Sequence, residues 1–199
     1  MNDFTHICFF DIPMFSHIPN LVYLAPTTWE EFIAMEDWAI AQDKYSVALR
    51  VPCAVVHSDE EYPTDYSQLN KFHVAYRGSK VAVIAAGGFY QKGEAVLKLL
   101  ADEGIDATLI NPRYLTGVDE QLLDELKCDH QLIVTLEDGS LDGGFGERIA
   151  SFYGTSKMKV LVGGIKKGLY DRFDVQQLLS DNRLLDEQIV EDIMSIIGK

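Results

Sequence analysis

The sequence predicts an α/β protein built from two unequal parts. Short apolar runs alternate with segments whose apolar residues recur at helical spacing, which is typical of parallel strands joined by helices. An acidic, proline-containing stretch without periodicity, residues 59–72, separates a first part, residues 1–58, from a longer second part, residues 73–199. We therefore expect a partial βαβ layer, a linker, and a doubly wound, mostly parallel domain.

The first part contains one strand–helix–strand unit. Its strands are predicted at residues 20–25 and 45–51, and its helix at residues 29–42. Thr28 and Glu31 have the spacing of a capping box at the start of the helix. Because one such unit cannot cover both faces of its own sheet, we expect residues 1–58 to need a partner surface.

The second part repeats the alternation more regularly. Its four predicted strands lie at residues 81–86, 106–111, 131–136 and 159–162. Its predicted helices lie at residues 89–103, 143–153 and 186–197, with a further one that begins after Asp119 and carries Leu122, Leu123 and Leu126. Gly104 is expected to end the first of these helices in a left-handed conformation.

Charge and cysteine usage exclude several classes of protein. Seventeen basic and 31 acidic residues give a net charge of −14, which would repel a nucleic acid or an anionic membrane. Three cysteines, Cys8, Cys53 and Cys128, show no CxxC spacing, and the histidines show no metal-ligand spacing, so we expect neither a disulfide framework nor a zinc site. With no signal-peptide pattern and no long apolar run, we expect a cytoplasmic protein.

The residues after the strand at 131–136 are the first candidates for chemistry. Glu137 and Asp138 could form an acid–base pair, but we interpret them as solvated loop carboxylates. The glycines within 143–146 could present backbone N–H groups to an anion, but their spacing favours close packing of a helix on a strand. Lys166-Lys167 is interpreted as a solvated loop. Residue chemistry alone therefore indicates no complete catalytic set.

Four ordered blocks carry a specific resemblance, at Thr5–Pro26 (THICFFDIPMFSHIPNLVYLAP), Val47–Ala54 (VALRVPCA), Ile110–Leu126 (INPRYLTGVDEQLLDEL) and Val134–Ile149 (VTLEDGSLDGGFGERI). In the same order they resemble THxGxFDxxxLxxIPNxxxxAP, AIRYPRG, VNARFVKPLDxxLLxxL and VTVEExxxxGGFGSxV. These stretches belong to the 1-deoxy-D-xylulose-5-phosphate synthase family of the transketolase superfamily. The resemblance covers almost the whole chain.

The resemblance implies an enzyme that uses thiamine diphosphate and Mg²⁺ to join pyruvate to glyceraldehyde 3-phosphate with loss of CO₂, for isoprenoid precursors. It implies that residues 1–58 are the C-terminal half of a pyrimidine-binding domain, that 59–72 are a linker, and that 73–199 are a transketolase C-terminal domain. The family's diphosphate-binding domain, its GDG metal motif and its activating Glu would all lie before Met1. This chain alone is therefore expected to bind no cofactor and to be inactive.

The resemblance also assigns three site residues. His6 is expected to make a polar contact near the reacting carbon, as acid, base or orienting group, with a buried hydrogen-bonded histidine as the alternative. Arg50 and Cys53 lie in the segment that is expected to bind the substrate phosphate. Cys53 stands where the family has an arginine, and a cysteine cannot make the bidentate contact that arginine makes with phosphate.

Two other function classes stay open. The chain could be a non-catalytic interaction module, or the C-terminal subunit of a split transketolase-like enzyme. The expected partners are the missing N-terminal domains or a second copy bound through residues 1–58, with a phosphosugar as substrate of the intact enzyme. No nucleic acid or membrane partner is expected.

Overall fold

The computed structural model describes residues 9–198, which form a two-stranded and a five-stranded sheet with helices packed against them. The smaller sheet contains β1 (Leu21–Leu24) and β2 (Ser46–Leu49), which pair in parallel and are joined by α2 (Trp29–Ala41). A short helix, α1 (Asp11–Phe15), precedes β1. The predicted strand–helix–strand unit is confirmed, although β2 ends at Leu49 and leaves Arg50 just beyond the strand.

The larger sheet has five strands in the order β3-β5-β4-β6-β7. These are β3 (His73–Tyr76), β4 (Lys80–Ala85), β5 (Thr108–Asn111), β6 (His130–Ser140) and β7 (Lys159–Ile165). Its helices are α3 (Tyr90–Asp102), α4 (Glu120–Leu126), α5 (Phe145–Tyr153), α6 (Val175–Asp181) and α7 (Asp186–Ile197). Only β3 runs antiparallel to its neighbour, so the expected doubly wound, mostly parallel sheet is confirmed.

Alternate residues of the central strand supply two separate cores. In β4, Ala82 and Ile84 face the cluster formed with α4 and α5, whereas Val81 and Val83 face the cluster formed with α3 and α7. Both faces of this strand are buried, which explains why its sequence is an uninterrupted apolar run.

Two of the predicted helix signals have the geometry that their sequence indicated. The Asp119 side chain accepts a hydrogen bond from the backbone N–H of Leu122, and Gly104 has a φ of 75° after α3. At α2 only half of the predicted capping box forms. The Thr28 hydroxyl accepts from the Glu31 N–H, but the Glu31 carboxylate turns to other partners.

Three short elements, α1, β3 and α6, were not predicted. Each is only four to seven residues long, which is too short to establish a period in the sequence. The strand predicted at 131–136 is longer than expected, because β6 continues through Ser140. This extension places Glu137 and Asp138 inside a strand rather than in a loop.

The two sheets are joined by backbone contacts along β1. Leu24 and Tyr114 form an isolated antiparallel bridge. The Ala25 N–H donates to the Arg113 carbonyl at 2.8 Å, and the Leu115 N–H donates to the Tyr23 carbonyl at 2.8 Å. The second part of the chain therefore supplies a partner surface for the first.

The segment expected to be a linker contains no helix or strand, but part of it is packed. Tyr66 is 2% exposed and lies in a cluster with Met35, Trp38 and Tyr114. The Tyr114 hydroxyl donates to the Tyr66 carbonyl at 2.8 Å. The division of the chain at residues 59–72 remains a prediction. Across residues 9–198, we find no helix with the length and apolar character that a membrane span requires.

Candidate functional site

The candidate site is built around the Arg50 guanidinium, which lies directly after β2. Its Nε donates to Asp11 Oδ2 at 2.6 Å, its Nη2 donates to Asp11 Oδ1 at 3.4 Å, and its Nη1 donates to Asp138 Oδ1. The Tyr23 hydroxyl also donates to Asp11, at 2.6 Å. These contacts join α1, the end of β2 and the end of β6, so residues 39 and 88 positions from Arg50 in sequence meet it here.

Two carboxylates around one guanidinium leave this cluster with an excess of negative charge. The Arg50 side chain is only 12% exposed. Burial lowers the pKa of Arg50, but the attraction of Asp138 and Asp11 outweighs burial and raises the pKa above its ordinary value. Arg50 is therefore a permanently charged group that ties three elements together.

The cluster lies at the point where an open α/β sheet normally binds its ligand. The connections from β4 and β6 leave toward opposite sides of the sheet, so a crevice is expected at their carboxyl ends. Here the chain's own first part enters that crevice. Pro52 packs near Gly88, Ile12 packs against Gly139, and the Ser140 N–H donates to the Phe9 carbonyl at 2.7 Å.

Glu137 lies beside this cluster, and its interpretation as a solvated loop carboxylate is wrong. The side chain is fully buried and accepts hydrogen bonds from the backbone N–H groups of Phe145 at 3.0 Å and Gly146 at 2.8 Å. The first turn of α5 therefore binds a carboxyl group, as a helix N-terminus can, but this group is a side chain of the same protein. Burial raises the pKa of Glu137 to about 7, against the opposing effect of these hydrogen bonds.

The glycines before α5 have the packing role that the sequence favoured. A Cβ on Gly144 would lie 2.3 Å from the Ser140 carbonyl oxygen and 2.6 Å from Glu137 Oε1. A Cβ on Gly146 would lie 2.4 Å from Thr135 Oγ1. The interpretation of these glycines as close-packing residues is confirmed, because no larger residue leaves room for the buried carboxylate.

A second buried carboxylate ties the two sheets together. Glu31 on α2 is 0% exposed and accepts from the Thr27 N–H and hydroxyl at 2.9 Å each, from Asn111 Nδ2 at 3.1 Å and from Arg113 Nε at 2.8 Å. Asn111 and Arg113 lie at and after the end of β5 in the larger sheet. Glu31 thus forms an interface contact in place of the second half of the capping box.

The residues assigned from the sequence are placed as follows. Arg50 is at the centre of the ion-paired cluster, and Cys53 is a free, exposed thiol on the loop after β2. His6 lies outside the described residues. Lys166 and Lys167 are exposed, as expected for a solvated loop. Within residues 9–198, no group of three or more His, Cys, Asp or Glu side chains could hold a metal ion.

Comparison with known proteins decides the family. Residues 70–170 match the family described as "Transketolase, C-terminal domain". The chain belongs to the transketolase C-terminal domain family. The match covers all five strands of the larger sheet, from before β3 through β7.

Curated relatives extend the similarity across the transketolase C-terminal domain and the residues before it. The chain is 29% identical to the 1-deoxy-D-xylulose-5-phosphate synthase of Clostridium tetani over 97% of its own length, and 31% identical to that of Alkaliphilus oremlandii over 95%. It spans 31% of the length of each of these relatives.

Solved structures show the same fold. A structure described as "Split gene transketolase, inactive beta4 tetramer" superposes with a TM-score of 0.79 at 22% identity, over 96% of this chain and 62% of that one. A transketolase mutant from Pichia stipitis superposes with a TM-score of 0.73 at 16% identity, over 99% of this chain and 28% of that one. The transketolase fold therefore includes the smaller sheet as well as the C-terminal domain.

The ion-pair partners of Arg50 were not predicted from the sequence. Asp11 and Asp138 both lie in the blocks that carried the family resemblance, so their positions were visible in the sequence. Their pairing was not, because it depends on how the smaller sheet docks on the larger one. Glu31 and Arg113 were missed for the same reason.

Proposed function

We propose that this chain is the C-terminal third of a thiamine-diphosphate-dependent transferase of the transketolase type. In the intact enzyme, the reaction is that of the curated relatives, 1-deoxy-D-xylulose-5-phosphate synthases: pyruvate joins glyceraldehyde 3-phosphate with loss of CO₂. The chain by itself is inactive. A cytoplasmic location belongs to this proposal and is supported by the exposed free thiols Cys53 and Cys128, which suit a reducing compartment.

One observation of the structure carries this proposal. The crevice at the carboxyl ends of β4 and β6 is filled by α1 and the loop after β2, so the larger sheet does not use it for an independent ligand site. The same contacts fix the smaller sheet against the larger one. Because the crevice of the larger sheet binds the first part of this chain, the ligand site of the enzyme has to be built with residues from other domains.

The described residues do not fit a metal-bound diphosphate. No suitable ligand cluster occurs between residues 9 and 198, and the Arg50 cluster is negative overall. When bound, thiamine diphosphate supplies the carbanion chemistry of such enzymes. We propose that the groups that hold it and its Mg²⁺ come from the remaining two thirds of the enzyme, and that this chain contributes groups near the acceptor.

Three residues have proposed roles in the intact enzyme. His6 makes a polar contact near the reacting carbon. Arg50 and Cys53 belong to the segment that binds the acceptor substrate. The ion pairs with Asp11 and Asp138 hold the Arg50 guanidinium in one position there. Because Cys53 cannot bind phosphate as an arginine would, we propose that the acceptor phosphate is bound more weakly than in the usual synthase.

The open side of the smaller sheet is the proposed contact with the rest of the enzyme. Among the described residues, β2 pairs only with β1. Apolar side chains on α1 and on the loop after β2 are exposed, including Met14 (65%), Val51 (56%) and Val55 (66%). Such a surface suits the missing N-terminal domains, with a second copy of the chain as the substitute when they are absent.

Two measurements test the proposal. Isothermal titration with thiamine diphosphate and Mg²⁺ should show no binding to this chain. A chimera that joins the first two thirds of the Clostridium tetani synthase to this chain should bind the cofactor and form 1-deoxy-D-xylulose 5-phosphate. Micromolar cofactor binding by the chain alone would contradict the proposal, and so would a folded, cofactor-binding chimera that fails to decarboxylate pyruvate.

A matched control separates failed assembly from a wrong assignment. The same chimera with Arg50→Ala should lose the ion-paired cluster, because Asp11 and Asp138 would then face each other without a cation. Cofactor binding in both chimeras, with turnover only in the parent chimera, is the expected result.

A further inference from the structure

A groove of about 430 Å³ lies between α2 and residues 60–64, and we call it the α2 groove. The larger apolar and aromatic side chains of its lining are Ile33, Trp38 and Tyr62, and Ala34 and Ala41 also line it. Every charged residue of its lining is acidic: Glu30, Asp37 and Glu60. Its volume lies within the range of pockets that bind ligands in proteins.

Helix α2 is apolar on two faces, although one face is enough to attach it to the fold. Its inner face buries Glu31, Met35 and Trp38. Trp29, Ile33 and Ile40, which are spaced to share the other face, are 44%, 36% and 77% exposed. A surface helix normally presents polar residues there. Of the three, Ile33 also lines the α2 groove, so the groove and the exposed apolar stripe meet at this residue.

Charge decides what kind of molecule suits the groove. Asp37 and Glu60 are exposed. Glu30 is bonded to His57 Nδ1 and to the Ser58 N–H, and these hydrogen bonds lower the pKa of Glu30, so it stays ionised near neutral pH. A two-fold dimer through this face would place the same carboxylates on both sides of the contact, in a chain whose net charge is already −14. A second copy is therefore disfavoured, and a basic partner is favoured.

We propose that the α2 groove docks a basic amphipathic helix of another polypeptide. Apolar side chains of the partner enter between Ile33, Trp38 and Tyr62, and its Lys or Arg side chains pair with Asp37 and Glu60. This is the helix-in-groove mode of recognition with an acidic border. The proposal does not depend on the enzyme activity proposed above, because the groove lies on α2 and the Arg50 cluster lies after β2.

The chain carries its own probe for this interaction. Its two tryptophans, Trp29 and Trp38, both lie on α2, and Trp38 lines the groove. A synthetic helix of roughly 18 residues, made of Leu at i, i+3, i+4 and i+7 positions and Lys elsewhere, serves as ligand. Titration should shift the tryptophan emission with a micromolar dissociation constant, and binding should weaken as salt is added. A peptide of the same pattern with Glu in place of Lys should not bind.

Charge-reversal variants locate the binding site. Asp37→Lys combined with Glu60→Lys should weaken binding of the Leu–Lys peptide by about tenfold or more, because each change removes an attraction and adds a repulsion. Glu187→Lys combined with Glu191→Lys, on helix α7 and outside the lining of the groove, is the matched control and should leave binding nearly unchanged. Circular dichroism confirms that each variant is folded.

Three results would overturn the proposal. The first is no change in tryptophan emission at saturating Leu–Lys peptide. The second is equal weakening by the α2 variant and the α7 control, which would mean that only overall charge attracts the peptide. The third is concentration-dependent dimerisation that Ile33→Lys abolishes, which would make the groove a contact between two copies of this chain.

Discussion

Replacing Glu31 by alanine should be among the most destabilising single changes in this protein. The carboxylate is fully buried, and it accepts hydrogen bonds from Thr27 on its own segment and from Asn111 and Arg113 of the larger sheet. Removing it leaves the Arg113 side chain, which is 12% exposed, without this counter-charge. The change acts on the contact that holds the two sheets together.

The magnitude follows from the cost of an unpaired buried charge. Truncating one partner of a buried ion pair costs about 3–5 kcal/mol, whereas the net contribution of the pair relative to apolar residues is much smaller. We therefore expect Glu31→Ala to lower the free energy of unfolding by about 3–5 kcal/mol, a large share of the roughly 5–15 kcal/mol that a domain possesses. Glu31→Ala combined with Arg113→Ala should cost less than the sum of the two single changes, because no charge is then left unpaired.

Urea unfolding, followed by tryptophan emission, measures these differences. Asp37→Ala, on the exposed side of the same helix, is the matched control and should change the free energy of unfolding by no more than about 0.5 kcal/mol. A loss of less than about 1 kcal/mol for Glu31→Ala would refute the reasoning. Strict additivity in the double variant would show that the two side chains do not interact in solution.

Three further changes test the region around Arg50. Burial raises the pKa of Glu137 from 4.5 to about 7, so the folded state binds the carboxyl proton more tightly than the unfolded state does. The stability gained from this tighter proton binding is complete below pH 4.5 and is lost as the pH rises through 7. Glu137→Gln should remove this part of the pH dependence, on the order of 3 kcal/mol between those limits, in urea unfolding at a series of pH values. Gly146→Ala should cost about 1–3 kcal/mol in the same assay, since the new methyl group would meet Thr135 Oγ1 at 2.4 Å. In the chimeric enzyme, Cys53→Arg should lower the KM for glyceraldehyde 3-phosphate by roughly 30- to 150-fold, and an unchanged KM would show that position 53 does not touch the phosphate.

Local patterns in the sequence were sufficient for most of the secondary structure. The helix predicted at residues 186–197 has these bounds in the structure, and the four predicted strands of the larger sheet lie where the apolar runs place them. Each of these signals acts within a few residues, as with the Asp119 side chain that caps α4. The predicted bounds differ most where a strand is extended by tertiary contacts, as β6 is beyond Leu136.

The sequence by itself determined the α/β class, the helix caps and the family, because periodicity, capping and ordered motifs are all properties of residues near one another in the chain. The tertiary structure alone decided which charges meet. Glu31 and Arg113 are 82 positions apart, and Arg50 and Asp138 are 88 apart. Whether such carboxylates are solvated or buried depends on how the smaller sheet docks on the larger one. Glu137 is an example. The local pattern predicts a solvated loop carboxylate, but the packing of α5 on β6 buries its side chain, which accepts hydrogen bonds from the first turn of α5.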